Sequence, residues 1–304
     1  MTVTLSPKEF LRKNLIEGIA NKQMEEELVF LNTANVTYTD SVSVTYMEDL
    51  TTAGDDISSG VMGEPINLGE ISELPEIEIS PITTKAGMLK PWGVEIKVSE
   101  RDIKRSEIVN ELMRATERVG YAMARKHNND VVTLFQGTTN DITEVDGDAA
   151  WSTDTADPIK DIGKFKKAFH VDGFGAMLTD LYLYTDNYFE FEDHLISIDR
   201  SWAINPRSTE MIPNIRGVNI HQVYDSDQVA EASYLGFDER PAFKPMETYA
   251  YRPEGFSLDP NFRMINVYQY KEEKYPHNTV TEFVAETLNI VKRPNSFCYK
   301  TSAI

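Results

Sequence analysis

The sequence runs to 304 residues, with 30 Lys and Arg against 49 Asp and Glu, a formal charge of −19 and a single cysteine, Cys298. That length sets an expectation of about two domains; the acidic balance argues against generic nucleic-acid binding, which gains affinity by neutralising phosphates. One cysteine excludes an intramolecular disulfide framework and a Cys-rich metal site.

Ser6-Pro7-Lys8-Glu9 reads as a helix start, with Ser6 as N-cap, Pro7 at the first helical position and Glu9 closing a capping box. Phe10, Leu11, Leu15, Ile19 and Ala20 follow at helical spacing, which predicts an amphipathic helix from 7 to about 28. The same opening, MTVTLSPKEF, has neither the charged nor the apolar region of a signal peptide. No apolar run approaches the roughly 20 residues of a membrane-spanning helix, so the expected compartment is a cytoplasm. Residues 35–48 are rich in Val, Thr and Tyr and read as extended chain.

Residues 50–65 are a loop by composition, rich in Gly, Asp, Ser and Thr. From Pro65 to Pro91 the chain is extended: in Glu76-Ile77-Glu78-Ile79 apolar and acidic side chains take opposite faces of a strand, and Pro75 and Pro81 flank it. Proline is confined to sheet edges and bulges, so this stretch is expected to be an exposed two-stranded arm. With few large apolar residues it cannot offset a chain entropy of roughly 1–2 kcal/mol per residue, and is expected to order on a neighbour. Trp92 to Val98 continues as a strand, Ser99-Glu100-Arg101-Asp102 ends it in a helical turn, and a long helix is predicted from about 106 to about 135. Its stripe is Ile108, Leu112, Ala115, Val119 and Ala122, with Val109, Met113, Thr116 and Met123 beside it.

After a polar boundary at 137–158 the pattern alternates. Helices are expected at 159–170 and 186–195, and strands at 176–183, 217–223, 234–237, 248–251, 264–270 and 281–291. A charged turn, Lys271 to Asn278, joins the last two strands.

Chemistry-bearing motifs are sparse. The five histidines, at 127, 170, 194, 221 and 277, form no HExxH or His-x-His pair. His194 after Glu192 and Asp193 reads as a solvated helix end. Asp146-Gly147-Asp148 resembles the start of a calcium loop, but Ala149, Ala150 and Trp151 follow where oxygen ligands are needed. Gly-x-Ser-x-Gly, phosphate-cradling and dinucleotide-binding motifs are absent from the sequence. Cys298, in Ser-Phe-Cys-Tyr, reads as a small buried side chain. No catalytic, cofactor-binding or metal residue is singled out, and the expectation is a chain that is not an enzyme and carries no cofactor.

Residues 76–136, EIEISPITTKAGMLKPWGVEIKVSERDIKRSEIVNELMRATERVGYAMARKHNNDVVTLFQ, resemble the signature stretch of the Hong Kong 97 phage capsid fold. The return is Thr84-Lys85-Ala86-Gly87, the strand Val94-Glu95-Ile96-Lys97-Val98 and the turn Ser99 to Ile103, and the "spine" helix carries Asp130 near its end. The resemblance implies an α+β capsid fold with an N-arm and first P-domain strand at 1–49 and an extended E-loop at 50–92. A P-domain with the spine helix would follow at 93–149, an A-domain at 150–244 and the C-terminal P-domain strands at 245–304. It also implies a major capsid protein that forms homo-pentamers and homo-hexamers in an icosahedral shell around double-stranded DNA, assembled in the host cytoplasm and located in the virion. An acidic inner wall suits that role, since it leaves DNA free to slide.

With no long scaffolding region expected ahead of the body, assembly needs a separate scaffolding protein or the first 30 residues do that work; a portal is the other expected partner, with room for a decoration protein. The candidate inter-subunit contacts are Ile77, Ile79, Lys85, Lys90 and Trp92 in the arm, and Lys271, Glu272, Glu273 and Lys274 in the charged turn. Some family members crosslink a Lys to an Asn beside a Glu; no matching Asn and Glu can be placed here, so no crosslink is expected. Two other readings stay open: an encapsulin, which encloses a cargo enzyme instead of DNA, and a soluble α+β enzyme or carbohydrate-binding protein using the acidic residues around 141–157.

Overall fold

The computed structural model describes residues 7–47, 84–99, 108–138, 142, 147–148, 150–153, 156–172, 176–197, 214–252, 263–275, 278–300 and 304. The expected loop at 50–65, the alternating segment with Ile77 and Ile79, and the turn after Ser99 lie outside the described residues.

The first helix, α1, spans Pro7–Glu27, and strands β1 (Ala34–Thr39) and β2 (Ser43–Met47) divide the extended stretch that follows it. Next come β3 (Thr84–Met88), β4 (Lys90–Ser99) and the long helix α2 (Ile108–Gly137). The alternating region holds α3 (Pro158–Asp172), β5 (Asp180–Tyr184), α4 (Thr185–Ser197), β6 (Asn219–Val223) and β7 (Tyr234–Phe237). The chain closes with β8 (Met246–Tyr251), β9 (Asn266–Lys271), β10 (Asn278–Val291) and β11 (Phe297–Lys300).

These strands form a five-stranded sheet in the order β1-β8-β10-β4 with β9 also on β10, a four-stranded sheet β11-β7-β5-β6, and a ribbon β2-β3. β10 organises the larger sheet: β4 pairs along one edge, and β9 then β8 share the other. Its buried residues Thr281, Phe283, Ala285 and Thr287 alternate with partly exposed neighbours, the period of a strand with one face on a core. That core takes Ile16, Ala20 and Met24 from α1, Leu28 just beyond it, and Val119, Met123 and Ala124 from α2. The 3–4 spacing of each set puts it on one face of its helix. Gly120 makes the helix crossing possible, because a Cβ there would stand 2.7 Å from the Ala20 carbonyl oxygen.

A helix of 30 residues is about 45 Å long, and α2 runs past the first core into a second. There Val131, Val132 and Phe135 meet Phe30, Tyr182, Leu235, Phe237 and Phe297. Phe135 lies 5.0 Å from Phe237 and 4.6 Å from Phe297 between ring centroids, so α2 joins the four-stranded sheet to the rest of the chain through aromatic packing. The opposite face of that sheet is covered by Ile162, Phe165 and Phe169 of α3 and Tyr188, Phe191 and Leu195 of α4. Central β5 is therefore buried on both faces, and its residues Leu181 to Leu183 read as a continuous apolar run.

Two features go beyond the sequence-based expectation. The Lys85-Ala86-Gly87 return is itself strand, paired with Val44, Thr45 and Tyr46 of β2. The pairs β1-β8 and β5-β6 are parallel, joining segments separated by long connections that strand patterning cannot relate.

Candidate functional site

The long edge of the larger sheet is β4. Ten residues run along it, and among the described residues no strand pairs with its outer side. Such an edge presents unpaired backbone donors and acceptors to another chain, and natural edges are guarded by charges and proline. Here Lys90, Pro91, Glu95 and Lys97 are exposed along the strand, while Val94 is an exposed apolar residue among them.

At one end of β4 the chain passes into the β2-β3 ribbon, and Leu89 N–H donates to the Val42 carbonyl at 2.9 Å. Lys85 and Lys90 are exposed on this side of the molecule, as is Met88. Trp92 is placed differently: it is half-buried, its indole N–H donates to Thr287 Oγ1 at 3.0 Å, and its ring stacks on His127 of α2. It ties the root of the ribbon to α2. His127 is buried, and burial pushes its pKa down to about 4 against the pull of Asp130, so the imidazole under Trp92 is neutral.

The charged turn, which joins β9 to β10, stands at the opposite end of the same sheet, beside the far end of β4. Lys271 pairs with Thr279, which also faces Val98, whereas Lys90 faces Thr287. Eight residues of strand separate those positions, about 26 Å. Glu273 and Lys274 are exposed there, Lys274 lies over the Tyr275 ring at 5.6 Å, and Glu272 meets Lys97 of β4 at 3.9 Å. The candidate contacts described here thus form two groups at the two ends of the larger sheet. Ile77 and Ile79 lie outside the described residues.

The acidic loop that suggested an enzyme carries compensated charge where it is described. Asp148 pairs with Lys160 at 2.6 Å and with Lys164, and their hydrogen bonds hold its carboxyl down to about 2. Buried Asp161 accepts from the Asp148 backbone N–H at 3.1 Å and from the Trp151 indole at 3.2 Å, which fixes the loop against α3. Cys298 is buried, 3.8 Å from the Tyr234 hydroxyl.

Sequence reasoning missed one polar grouping. Asp180 of β5, His221 of β6 and Glu239, just beyond β7, bring their ligand atoms within 4.8 Å of one another. Three separated stretches contribute one residue each, so only strand pairing assembles them.

A model of the family described as phage capsid protein matches residues 82–284 of the 304. No curated protein sequence matches. Among solved structures, a phage-related protein from Bordetella bronchiseptica superposes with a TM-score of 0.59 at 14% identity, covering 94% of this chain and 97% of that one. The virus-like particle from Pyrococcus furiosus gives 0.54 at 10% identity, with 95% and 98% covered. The mature capsid of bacteriophage PhiM1 gives 0.54 at 11% identity, with 90% and 87% covered. At such identities structural likeness speaks for the fold; the family match, running from the ribbon strand β3 through α2 to β10, speaks for descent, and by it this chain belongs to the phage capsid protein family.

Proposed function

We propose that the chain is the major subunit of an icosahedral viral shell, built from pentamers and hexamers of itself and enclosing double-stranded DNA. The observation that carries this reading is the family match over residues 82–284. The ten-residue edge of β4, with an exposed ribbon at one end and a charged turn at the other, supports it as surface for neighbouring copies. Subunits related by rotation about an axis make heterologous contacts that close into rings, and rings of two sizes close a shell. In this reading residues 50–92 form the E-loop, α2 is the spine of a P-domain, and residues 150–244, with α3, α4 and β5 to β7, are the A-domain. Lys85, Lys90 and the turn from Lys271 to Lys274 reach neighbouring subunits, as do Ile77 and Ile79, while Trp92 holds the root of the arm. A scaffolding protein and a portal are the expected partners in assembly.

Electron microscopy and native mass measurement of the purified protein test the proposal. Closed shells, alone or with scaffolding protein, are the expected result. A folded chain that stays a monomer or small oligomer in every salt, pH and scaffold condition overturns it, and shells packed with a protein cargo instead of DNA assign the fold to a compartment.

A further inference from the structure

On the face of the four-stranded sheet that packs toward α2, a polar cluster interrupts an otherwise aromatic surface. Asp180 is 4% exposed, and its Oδ1 accepts from Asn219 Nδ2 at 2.9 Å and lies 2.8 Å from His221 Nε2. Tyr182, two residues along β5 on the same face, stacks on the His221 ring at 4.6 Å and donates its hydroxyl to Glu239 Oε1 at 2.6 Å. Phe30 and Phe237 pack on Tyr182. Two carboxylates thus share a partly buried site with one imidazole. The nearby cation is Lys244, whose Nζ donates to the Ala34 carbonyl at 3.1 Å.

We propose that Asp180, His221 and Glu239 form a binding site for one divalent transition-metal ion of the zinc class. The donor set decides the class: an imidazole nitrogen with two carboxylates suits zinc, manganese or cobalt, whereas calcium and magnesium prefer all-oxygen shells. Tetrahedral ligands about 2.1 Å from an ion stand about 3.4 Å apart. The observed spread of up to 4.8 Å therefore closes with side-chain rotations.

Two of the three ligands already carry the outer partners that orient metal ligands, Asn219 on Asp180 and Tyr182 on Glu239. His221 is 38% exposed at its side chain, which gives an ion a way in. An ion there would lie between the two carboxylates and offset their mutual repulsion. Binding requires the Nε2 lone pair, so the His221–Asp180 hydrogen bond is exchanged for two metal bonds and any proton on Nε2 moves to Nδ1 or is released to water. The ion would join β5 and β6 to the segment that leaves β7 for β8. This inference does not depend on the shell proposal.

The test titrates the full-length subunit, stripped with a chelator, with zinc chloride alone, following heat and melting temperature, and uses cobalt chloride as a spectroscopic probe. One equivalent of zinc per chain, a higher melting temperature and the visible bands of four-coordinate cobalt are expected. His221→Ala and Glu239→Gln should each lower zinc affinity at least tenfold and abolish the cobalt bands, and neither should be stabilised by zinc. Glu239→Gln keeps an acceptor for Tyr182 and carries the test if the other variant fails to fold. Absence of stoichiometric binding, equal binding by the wild type and Glu239→Gln, or equal stabilisation by calcium overturns the proposal. Stabilisation by zinc chloride without metal uptake also overturns it.

Discussion

Replacing Gly93 by alanine should damage the β4 edge more than any exposed position suggests. Gly93 faces Val284 in the β4-β10 register, and a Cβ there would lie 2.1 Å from the Phe283 carbonyl oxygen and 3.1 Å from Val284 Cα. The obstacle is backbone, on a strand whose other edge is held by β8 and β9, so β4 must give way. Opening the ladder there forfeits about two backbone hydrogen bonds, each worth about 0.5–1.5 kcal/mol net. It also loosens the Trp92 indole bond to Thr287, about 1 kcal/mol more. The expected destabilisation is about 2–4 kcal/mol by urea or thermal unfolding of the dispersed subunit, with hydrogen-exchange protection lost first in β4. Gly18→Ala is the control: it is a helical glycine with nothing within 4 Å of the new Cβ. It should stabilise by about 0.5–1 kcal/mol. A Gly93→Ala subunit within about 0.5 kcal/mol of the wild type, with β4 still protected, would refute the reasoning.

Phe135→Ala, at the junction of α2 with Phe237 and Phe297, should cost about 3–5 kcal/mol and lower the melting temperature sharply; a loss under about 1 kcal/mol would mean that the two sheets are held together elsewhere. His127 has a folded pKa near 4 against an ordinary 6.5, so between those values the unfolded chain binds the extra proton and folding stability falls as pH falls. That window is worth about 3 kcal/mol, and His127→Gln should flatten the pH dependence of thermal unfolding across it; an unchanged slope would clear His127. Reversing Glu272 and Glu273 to Lys removes the contact with Lys97 and inverts the turn. The subunit should stay folded, since exposed pairs contribute about 0–1 kcal/mol, while shell yield or shell melting temperature falls; shells of unchanged yield, stability and salt response would leave the turn without a role between subunits.

Much of the secondary structure was legible because its signals are local. The Ser6-Pro7-Glu9 start and the stripe through Ala115 and Val119 place α1 and α2 to within two residues, since a helix buries one face and its spacing repeats within a turn. The buried faces themselves are shifted, to Ile16 with Leu15 exposed and to Met123 and Ala124 with Ala122 exposed. The resemblance carried by residues 76–136 reached the family for a similar reason, being a contiguous order of strand, turn and helix. What only the tertiary structure decided is non-local. Whether Trp92 faces a neighbour or its own chain depends on β10 bringing Thr287, and α2 bringing His127, to the same spot. The meeting of Asp180, His221 and Glu239 depends on the β5-β6 and β5-β7 registers, in which a shift of one residue would turn each side chain to the other face. Nothing in the spacing of 180, 221 and 239 records that alignment. It arises because a sheet buried on both faces accepts only the register that puts Leu181 and Leu183 under α3 and α4, leaving Asp180 and Tyr182 to face the other way.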